Sequence, residues 1–90
     1  GHEILLAGNA RSFGRQDFKD FMPEEHMTYL SRQHIYIWFE HGEYYIEDRS
    51  STNGTRINGI DIKGTGRHQL ADGDAIELAG KLNIVFTKHV

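Results

Sequence analysis

Short β-type runs recur about every 8–12 residues along this chain, and turn signals separate them. The strongest run is 34–40, where Ile35 and Ile37 alternate with Tyr36 and Trp38. β-branched and aromatic residues that alternate in this way are typical of a strand with two distinct faces. No segment carries a sustained apolar period of 3.6 residues, and no internal repeat is evident. The pattern therefore predicts an all-β sandwich or barrel.

We predict strands at residues 3–7, 11–14, 27–30, 34–40, 43–47, 55–58, 59–62, 75–78 and 82–87. Residues 16–26 are predicted to be a loop with at most one helical turn, because Pro23 would stop a helix. The expected core consists of apolar side chains on the inward strand faces: Ile4, Leu6, Phe13, Ile35, Ile37, Phe39, Tyr44, Ile46, Ile57, Ile76, Leu78, Ile84 and Phe86.

The chain has 90 residues, of which 38% are hydrophobic, so it has room for one modest core. We expect a single domain at residues 3–88 and interpret Gly1-His2 as a cloning scar. The net charge of −3 argues against a general nucleic-acid binder, which needs many cationic contacts with phosphates. No apolar run approaches the roughly 20 residues that a membrane helix requires.

The sequence contains no cysteine, which excludes disulfides and thiolate metal sites, and its six histidines are scattered. We therefore predict no metal and no cofactor. No secretory signal is visible, so we expect an intracellular, cytoplasmic location, or a nuclear one if the source is eukaryotic. We expect the isolated domain to be a monomer.

Residues 48–55, Asp-Arg-Ser-Ser-Thr-Asn-Gly-Thr, form a polar stretch between two predicted strands. Such side chains hydrogen-bond nearby backbone and favour turns, so this stretch is predicted to be a structured loop at one end of the sandwich. Its simplest interpretation is a hairpin turn, because Asn-Gly is a strong hairpin signal. Two further polar motifs favour a functional interpretation instead.

Those motifs are Gly14-Arg15, after the second predicted strand, and Ser31-Arg32-Gln33-His34, before the strongest one. With Ser51-Thr52-Asn53-Gly54-Thr55, and with Asn58-Gly59 and residues 70–76 (Leu-Ala-Asp-Gly-Asp-Ala-Ile) further on, they occur in a distinctive order. This order resembles the forkhead-associated (FHA) domain, whose signature is G-R, S-x-x-H, S/T-x-N-G-T and L-x-x-G-D-x-I. The resemblance covers roughly residues 4–86.

The resemblance implies a β-sandwich of two mainly antiparallel sheets with about 10–11 short strands, whose loops at one end bind phosphothreonine peptides. Arg15 would contact the phosphate or the peptide backbone, and Ser31 would donate its hydroxyl to a phosphate oxygen. Arg32 would add a further phosphate contact. Thr52 and Asn53 would hold the phosphorylated residue and the main chain of the peptide.

The resemblance also implies structural roles for Gly14, His34 and Gly54, which would set the shapes of the loops. Tyr29 and the short loop Ala79-Gly80-Lys81 are candidates for selecting the residues around the phosphothreonine. The chemistry agrees with these roles, because a phosphothreonine carries about −1.5 to −2 charge and three acceptor oxygens. Guanidinium groups and neutral donors on rigid loops suit such a ligand.

Two alternatives remain. Ser31 and His34 could form a nucleophile and base, but residues three apart in an extended segment point to opposite faces, and no acid partner is evident. We therefore predict that the chain is not an enzyme. The Asn53-Gly54-Thr55 triplet also matches a glycosylation acceptor, which we set aside because no secretory signal is visible. The alternative function is a protein-interaction scaffold of the same fold that binds independently of phosphate.

Overall fold

The computed structural model describes residues 10–87, which form two four-stranded antiparallel sheets. The first sheet consists of β1 (Ala10–Phe13), β2 (Ile35–Glu40), β3 (Glu43–Asp48) and β6 (His68–Leu70), in the order β1-β2-β3-β6. The second consists of β4 (Thr55–Ile57), β5 (Ile60–Asp61), β7 (Ala75–Leu78) and β8 (Leu82–Val85), in the order β5-β4-β7-β8. The predicted all-β sandwich is confirmed. The strand predicted at 3–7, with Ile4 and Leu6, lies outside the described residues.

The hairpin of β2 and β3 is the longest pairing in the described part of the chain, with six residues in each strand. Ile37 lies opposite Ile46 in this pair, and both are almost completely buried. The turn between the strands is His41-Gly42, whose φ angles of 50° and 82° are both positive. Two successive positive φ angles give the type I′ geometry that matches the twist of the flanking strands. The alternating sequence and its turn therefore fix the register of the first sheet.

The core lies between the two sheets and contains Phe13, Phe18, Leu30, Ile35, Ile37, Ile46, Ile57, Ile62, Leu70, Ile76, Leu78, Leu82, Ile84 and Phe86. Nine of the predicted core residues are in this set. Phe39 is not, since it is 40% exposed. It lies near the end of β2, where its ring packs on Tyr44 with 4.8 Å between ring centroids. Tyr44 itself is only half-buried and packs against the core.

The strand predicted at residues 27–30 is wrong. Pro23 precedes a one-turn helix, α1 (Glu24–Met27), and backbone hydrogen bonds continue the turn through Leu30. Proline is compatible with a helix start, because its missing N–H has no partner in the first turn and its φ is already helical. Two acidic residues in that first turn favour the same end of the helix. Leu30 is fully buried from within this turn.

Two further segments differ from expectation. A 3₁₀ turn at Arg15–Phe18 begins directly after β1 and buries Phe18. Strand β6 is not among the predicted strands, yet it pairs with β3 and buries Leu70. Both segments are short and each contributes a single inward residue. Neither therefore shows a period of apolar residues that the sequence analysis could detect.

Candidate functional site

Asp48 organises the polar loop at residues 48–55. Its carboxylate accepts hydrogen bonds from the Ser51 backbone N–H at 2.9 Å, the Ser51 hydroxyl at 2.5 Å and the Thr55 hydroxyl at 2.7 Å. The Ser51 hydroxyl oxygen in turn accepts the Gly54 N–H at 3.0 Å. Gly54 has a φ of +87°, a conformation that glycine adopts without the strain a side chain would add. The loop is thus held by internal contacts, while Thr52 and Asn53 stay exposed.

His34 joins this loop to the segment before β2. Its Nδ1 accepts the Ser31 backbone N–H at 3.1 Å, and its Nε2 lies 2.8 Å from the Gly54 carbonyl oxygen. This pair of contacts requires a neutral ring with the proton on Nε2, because Nδ1 must accept. The side chain is completely buried, so His34 connects two loops that are 20 residues apart.

The surroundings of these two groups shift their pKa values. Burial lowers the pKa of His34 below its ordinary value of 6.5, although its hydrogen bond to Gly54 and the charge of Asp48 oppose the shift. Burial alone would raise the pKa of Asp48, but hydrogen bonds from Ser51 and Thr55 outweigh it and lower that pKa. Both shifts favour a neutral imidazole beside an ionised carboxylate.

Gly14 allows the end of β1 to pass close to the segment that contains Ser31. A Cβ at this position would lie 1.8 Å from the Arg32 carbonyl oxygen, closer than any real contact. The neighbouring Arg15 N–H donates to the Ser31 carbonyl at 3.0 Å. Asp17 then accepts the Gly14 N–H at 2.8 Å. A residue larger than glycine would therefore displace the loop that carries Ser31.

The side chain of Arg15 is half-buried rather than exposed. Its Nε donates to the carbonyl oxygens of Met27 at 3.1 Å and Leu30 at 3.0 Å. Within residues 10–87 it makes no ion pair, so the two terminal nitrogens of the guanidinium keep donors for another group. The Nε of Arg15 is thus held by the protein, while the two terminal nitrogens of its guanidinium can bind another group.

Ser31, Thr52 and Asn53 meet across two loops. The Ser31 hydroxyl oxygen accepts the Thr52 backbone N–H at 3.1 Å, which leaves the hydroxyl hydrogen available to a ligand. Asn53 Nδ2 donates to the Tyr29 carbonyl at 2.8 Å, which leaves its Oδ1 as an acceptor. The structure therefore brings together Ser31, Thr52, Asn53 and the loop to which Arg15 is bound.

The candidate specificity residues lie beside these groups. The Lys81 ammonium lies 4.6 Å from the centroid of the Tyr29 ring, a cation–π contact between two loops. The Ala79 N–H donates to the Gly54 carbonyl at 2.9 Å. A cleft of about 370 Å³ runs from Asn53 along Ala79 and Gly80. Arg32 directly follows Ser31 in the chain. It is exposed and makes no ion pair among the described residues.

Sequence reasoning missed Asp48 and Ser51 as the residues that shape the site. Their Asp-x-x-Ser spacing is itself a turn signal, because an aspartate side chain hydrogen-bonds backbone that follows it closely. It also missed Lys63, whose Nζ donates to the Thr52 carbonyl at 3.2 Å. No sequence pattern links residues 52 and 63, since the contact depends on how the loop after β5 folds.

The geometry does not support a Ser31–His34 catalytic pair. His34 contacts the backbone nitrogen of Ser31 rather than its hydroxyl, and both ring nitrogens are used in structural hydrogen bonds. A general base needs a free nitrogen within reach of the hydroxyl proton. The arrangement is instead a rigid set of donors, with two arginines, Arg15 and Arg32, that pair with no carboxylate of the described residues.

Comparison with known proteins agrees with this arrangement. The sequence model of the FHA domain matches residues 11–79, which is more than half of the chain. The chain belongs to the FHA domain family. FHA domains are interaction modules rather than enzymes.

Several known proteins are similar to this FHA domain. Protein FraH of the cyanobacterium Nostoc is 45% identical over 56 residues, which are 62% of this chain and only 19% of FraH. The crystal structure of the FhaA FHA domain, complexed with the intracellular domain of Rv3910, is 32% identical with a TM-score of 0.68 and covers 91% of this chain and 84% of that one. The N-terminal FHA domain of Rad53p from Saccharomyces cerevisiae, in complex with a phosphothreonine peptide, is 30% identical with a TM-score of 0.57 over 74% of this chain and 53% of that one.

This FHA domain spans about a fifth of the length of FraH. Within residues 10–87, none of its helices has the length and apolar character needed to cross a membrane.

Proposed function

We propose that this FHA domain binds a phosphothreonine-bearing segment of a partner protein at the loops that carry Arg15, Ser31, Arg32, Thr52 and Asn53. The observation that carries the proposal is the hydrogen bond of 3.1 Å from the Thr52 N–H to the Ser31 hydroxyl oxygen. It brings the two signature loops together and leaves the Ser31 hydroxyl hydrogen available to a ligand. The Rad53p complex with a phosphothreonine peptide supports the same ligand class.

The proposed roles follow from the donors that the fold leaves free. The terminal nitrogens of Arg15 form a planar fork that matches two phosphate oxygens. Ser31 adds a neutral donor, and the exposed Arg32 raises the local positive potential. Asn53 Oδ1 would accept a backbone N–H of the bound segment. Because His34 and Asp48 already hold these loops, binding costs little additional ordering.

The test is isothermal titration of the domain with a degenerate phosphothreonine peptide library, beside matched phosphoserine and unphosphorylated libraries. Binding only in the phosphothreonine arm is the expected result. Equal binding in all three arms would overturn the proposal in favour of a phosphate-independent interaction surface. Ser31→Ala should weaken phosphothreonine binding, whereas Ser12→Ala, on β1 of the first sheet, serves as a matched hydroxyl deletion and should not.

A further inference from the structure

Lys63 belongs to a turn that is hydrogen-bonded to β4 (Thr55–Ile57). Its backbone N–H donates to Asp61 Oδ1 at 3.0 Å, and the Thr65 hydroxyl donates to the Ile62 carbonyl at 2.8 Å. Ile62 is buried, and its own N–H donates to the Thr55 carbonyl at 3.0 Å. The backbone on both sides of Lys63 is therefore held by hydrogen bonds and by the buried Ile62 side chain.

The side chain of Lys63 extends to the candidate site. Its Nζ donates to the Thr52 carbonyl at 3.2 Å, and the Thr52 N–H donates to the Ser31 hydroxyl at 3.1 Å. Both contacts are made by the backbone of the same residue, Thr52. The Lys63 ammonium therefore lies within about 10 Å of the Ser31 hydroxyl oxygen. The positive charge of Lys63 also contributes to the lowered pKa of His34, whose ring is hydrogen-bonded to Ser31. A lysine stem with four rotatable bonds can close the remaining distance.

The partner of Lys63 is weaker than the partners of the paired cations elsewhere on the domain. Four arginines form ion pairs with carboxylates: Arg11, Arg49, Arg56 and Arg67. Lys63 has no such pair within residues 10–87, and its ammonium rests on a neutral backbone carbonyl in solvent. An anion beside Ser31 would be a stronger acceptor than that carbonyl, because hydrogen bonds between two charged groups are roughly twice as strong as neutral ones.

We propose that Lys63 is a further ligand-binding residue, whose ammonium contacts the phosphoryl group held by Ser31 and Arg15. This inference rests on the proposed function, and it adds a cation from outside the signature motifs. Lys63 approaches the phosphoryl group from the Thr52 side, whereas Arg15 is anchored on the Met27–Leu30 side. The bound phosphate would then have positive charge on both sides.

The test uses blocked phosphothreonine (the N-acetyl, N-methylamide form), in which the phosphate is the only charged group. Binding to the ¹⁵N-labelled domain is followed by NMR titration at 25, 100 and 300 mM salt, for the wild type, Lys63→Gln and Lys63→Arg. Lys63→Gln should bind about fivefold to twentyfold more weakly at the lowest salt, and the deficit should shrink as salt rises. Lys63→Arg should recover most of the affinity.

The matched control is Arg67→Gln, which removes the same charge just before β6, where Arg67 pairs with Glu40 of the first sheet. It should bind like the wild type. Equal affinity of Lys63→Gln and the wild type would overturn the role of Lys63 while leaving the proposed function intact. A loss that is independent of salt and is not restored by arginine would also overturn it, because it would indicate a structural contact. If the wild type binds neither blocked phosphothreonine nor any phosphothreonine peptide, the proposed function itself fails.

Discussion

The outer face of the first sheet and the loop end both carry arginines, but they use them differently. On the sheet face, the Arg49 guanidinium lies 4.6 Å from the Tyr36 ring centroid and bonds Glu47 at 2.5 Å. Arg67 likewise lies 4.8 Å from the Tyr45 ring and pairs with Glu40. At the loop end, the Arg15 side chain is anchored through Nε on two backbone carbonyls, and it has no carboxylate partner in the described part of the chain.

This difference indicates which cations can meet an anionic ligand. A guanidinium that already has a carboxylate and an aromatic ring gains little from a second anion. A guanidinium that is held only through its Nε keeps its two terminal nitrogens in a fixed orientation and available to a ligand. Net charge is a poor guide here, because the whole chain is negative, while Arg15 and Arg32 at its loop end have no carboxylate partner among residues 10–87. The comparison makes predictions for both regions.

The largest expected effect is on Arg15. Arg15→Ala should weaken phosphothreonine-peptide binding at least about a hundredfold, because it removes a charged bidentate contact with the phosphate. Titration calorimetry with the peptide selected from the library measures this loss. Arg15→Ala also removes the Nε contacts with Met27 and Leu30, so its free energy of unfolding should fall by about 1 kcal/mol. Unchanged binding by Arg15→Ala would place the phosphate elsewhere.

The next effect concerns the internal support of the loop. Asp48→Ala should lower the free energy of unfolding by about 2–3 kcal/mol, because it leaves the Ser51 N–H and the Thr55 hydroxyl without their acceptor. Urea denaturation followed by Trp38 fluorescence measures the loss. Asp20→Ala, in an exposed turn, is the comparison variant. Equal stability of the two variants would show that the loop does not depend on Asp48.

A smaller effect is expected from pH. Because the pKa of His34 is lowered on folding, the unfolded chain binds a proton that the native ring does not accept. The contribution of His34 to stability is therefore complete above pH 6.5, the ordinary value, and is lost as the pH falls below it. Asp48 adds a second loss, since its lowered pKa makes it stabilising above pH 3.8 and progressively less so below. Urea midpoints between pH 8 and pH 5 report the contribution of His34.

The control for this profile is His41→Asn, because His41 is exposed in a turn with a φ of 50°, which asparagine tolerates. His41→Asn should keep the decrease in stability from pH 7 to pH 5, and His34→Gln should flatten it. A decrease that persists in full in His34→Gln would assign the titration to another group.

The smallest effect is expected on the sheet face. Arg49→Ala should change phosphothreonine binding less than twofold and stability by no more than about 1 kcal/mol, since exposed ion pairs and cation–π contacts contribute little each. The same calorimetric titration as for Arg15→Ala provides the comparison. A large loss of affinity in Arg49→Ala would remove the distinction between the two regions.

Much of this architecture follows from the sequence, where local pattern and turn chemistry agree. The alternation in β2 and β3 identifies the central hairpin, and His41-Gly42 provides its turn. The signature motifs identify the residues that the fold then brings together at one end. Asn53 and Ser31 are 22 positions apart, yet both belong to motifs that sequence alone can identify.

The remaining features depend on tertiary contacts that no local pattern encodes. Phe18 and Leu30 are buried from irregular segments, so neither shows a strand period. Arg15 is half-buried because its Nε is bound by carbonyl oxygens 12 and 15 positions away, a contact that no local pattern encodes. The contact between Lys63 and Thr52 depends in the same way on the turn that follows β5.

His34 has a consequence for how the domain loses its structure. Its buried ring is hydrogen-bonded to the backbone of both loops, so neither loop can open alone without stranding a buried imidazole nitrogen. The amides of Ser31 and Gly54 should therefore exchange with solvent only when the sheets themselves separate. A ligand that contacts both loops would then add its binding free energy to that of the whole domain, about 2.7 kcal/mol at a hundred times its dissociation constant. Occupancy would thus appear as a rise in the melting temperature of the core, far from the ligand itself.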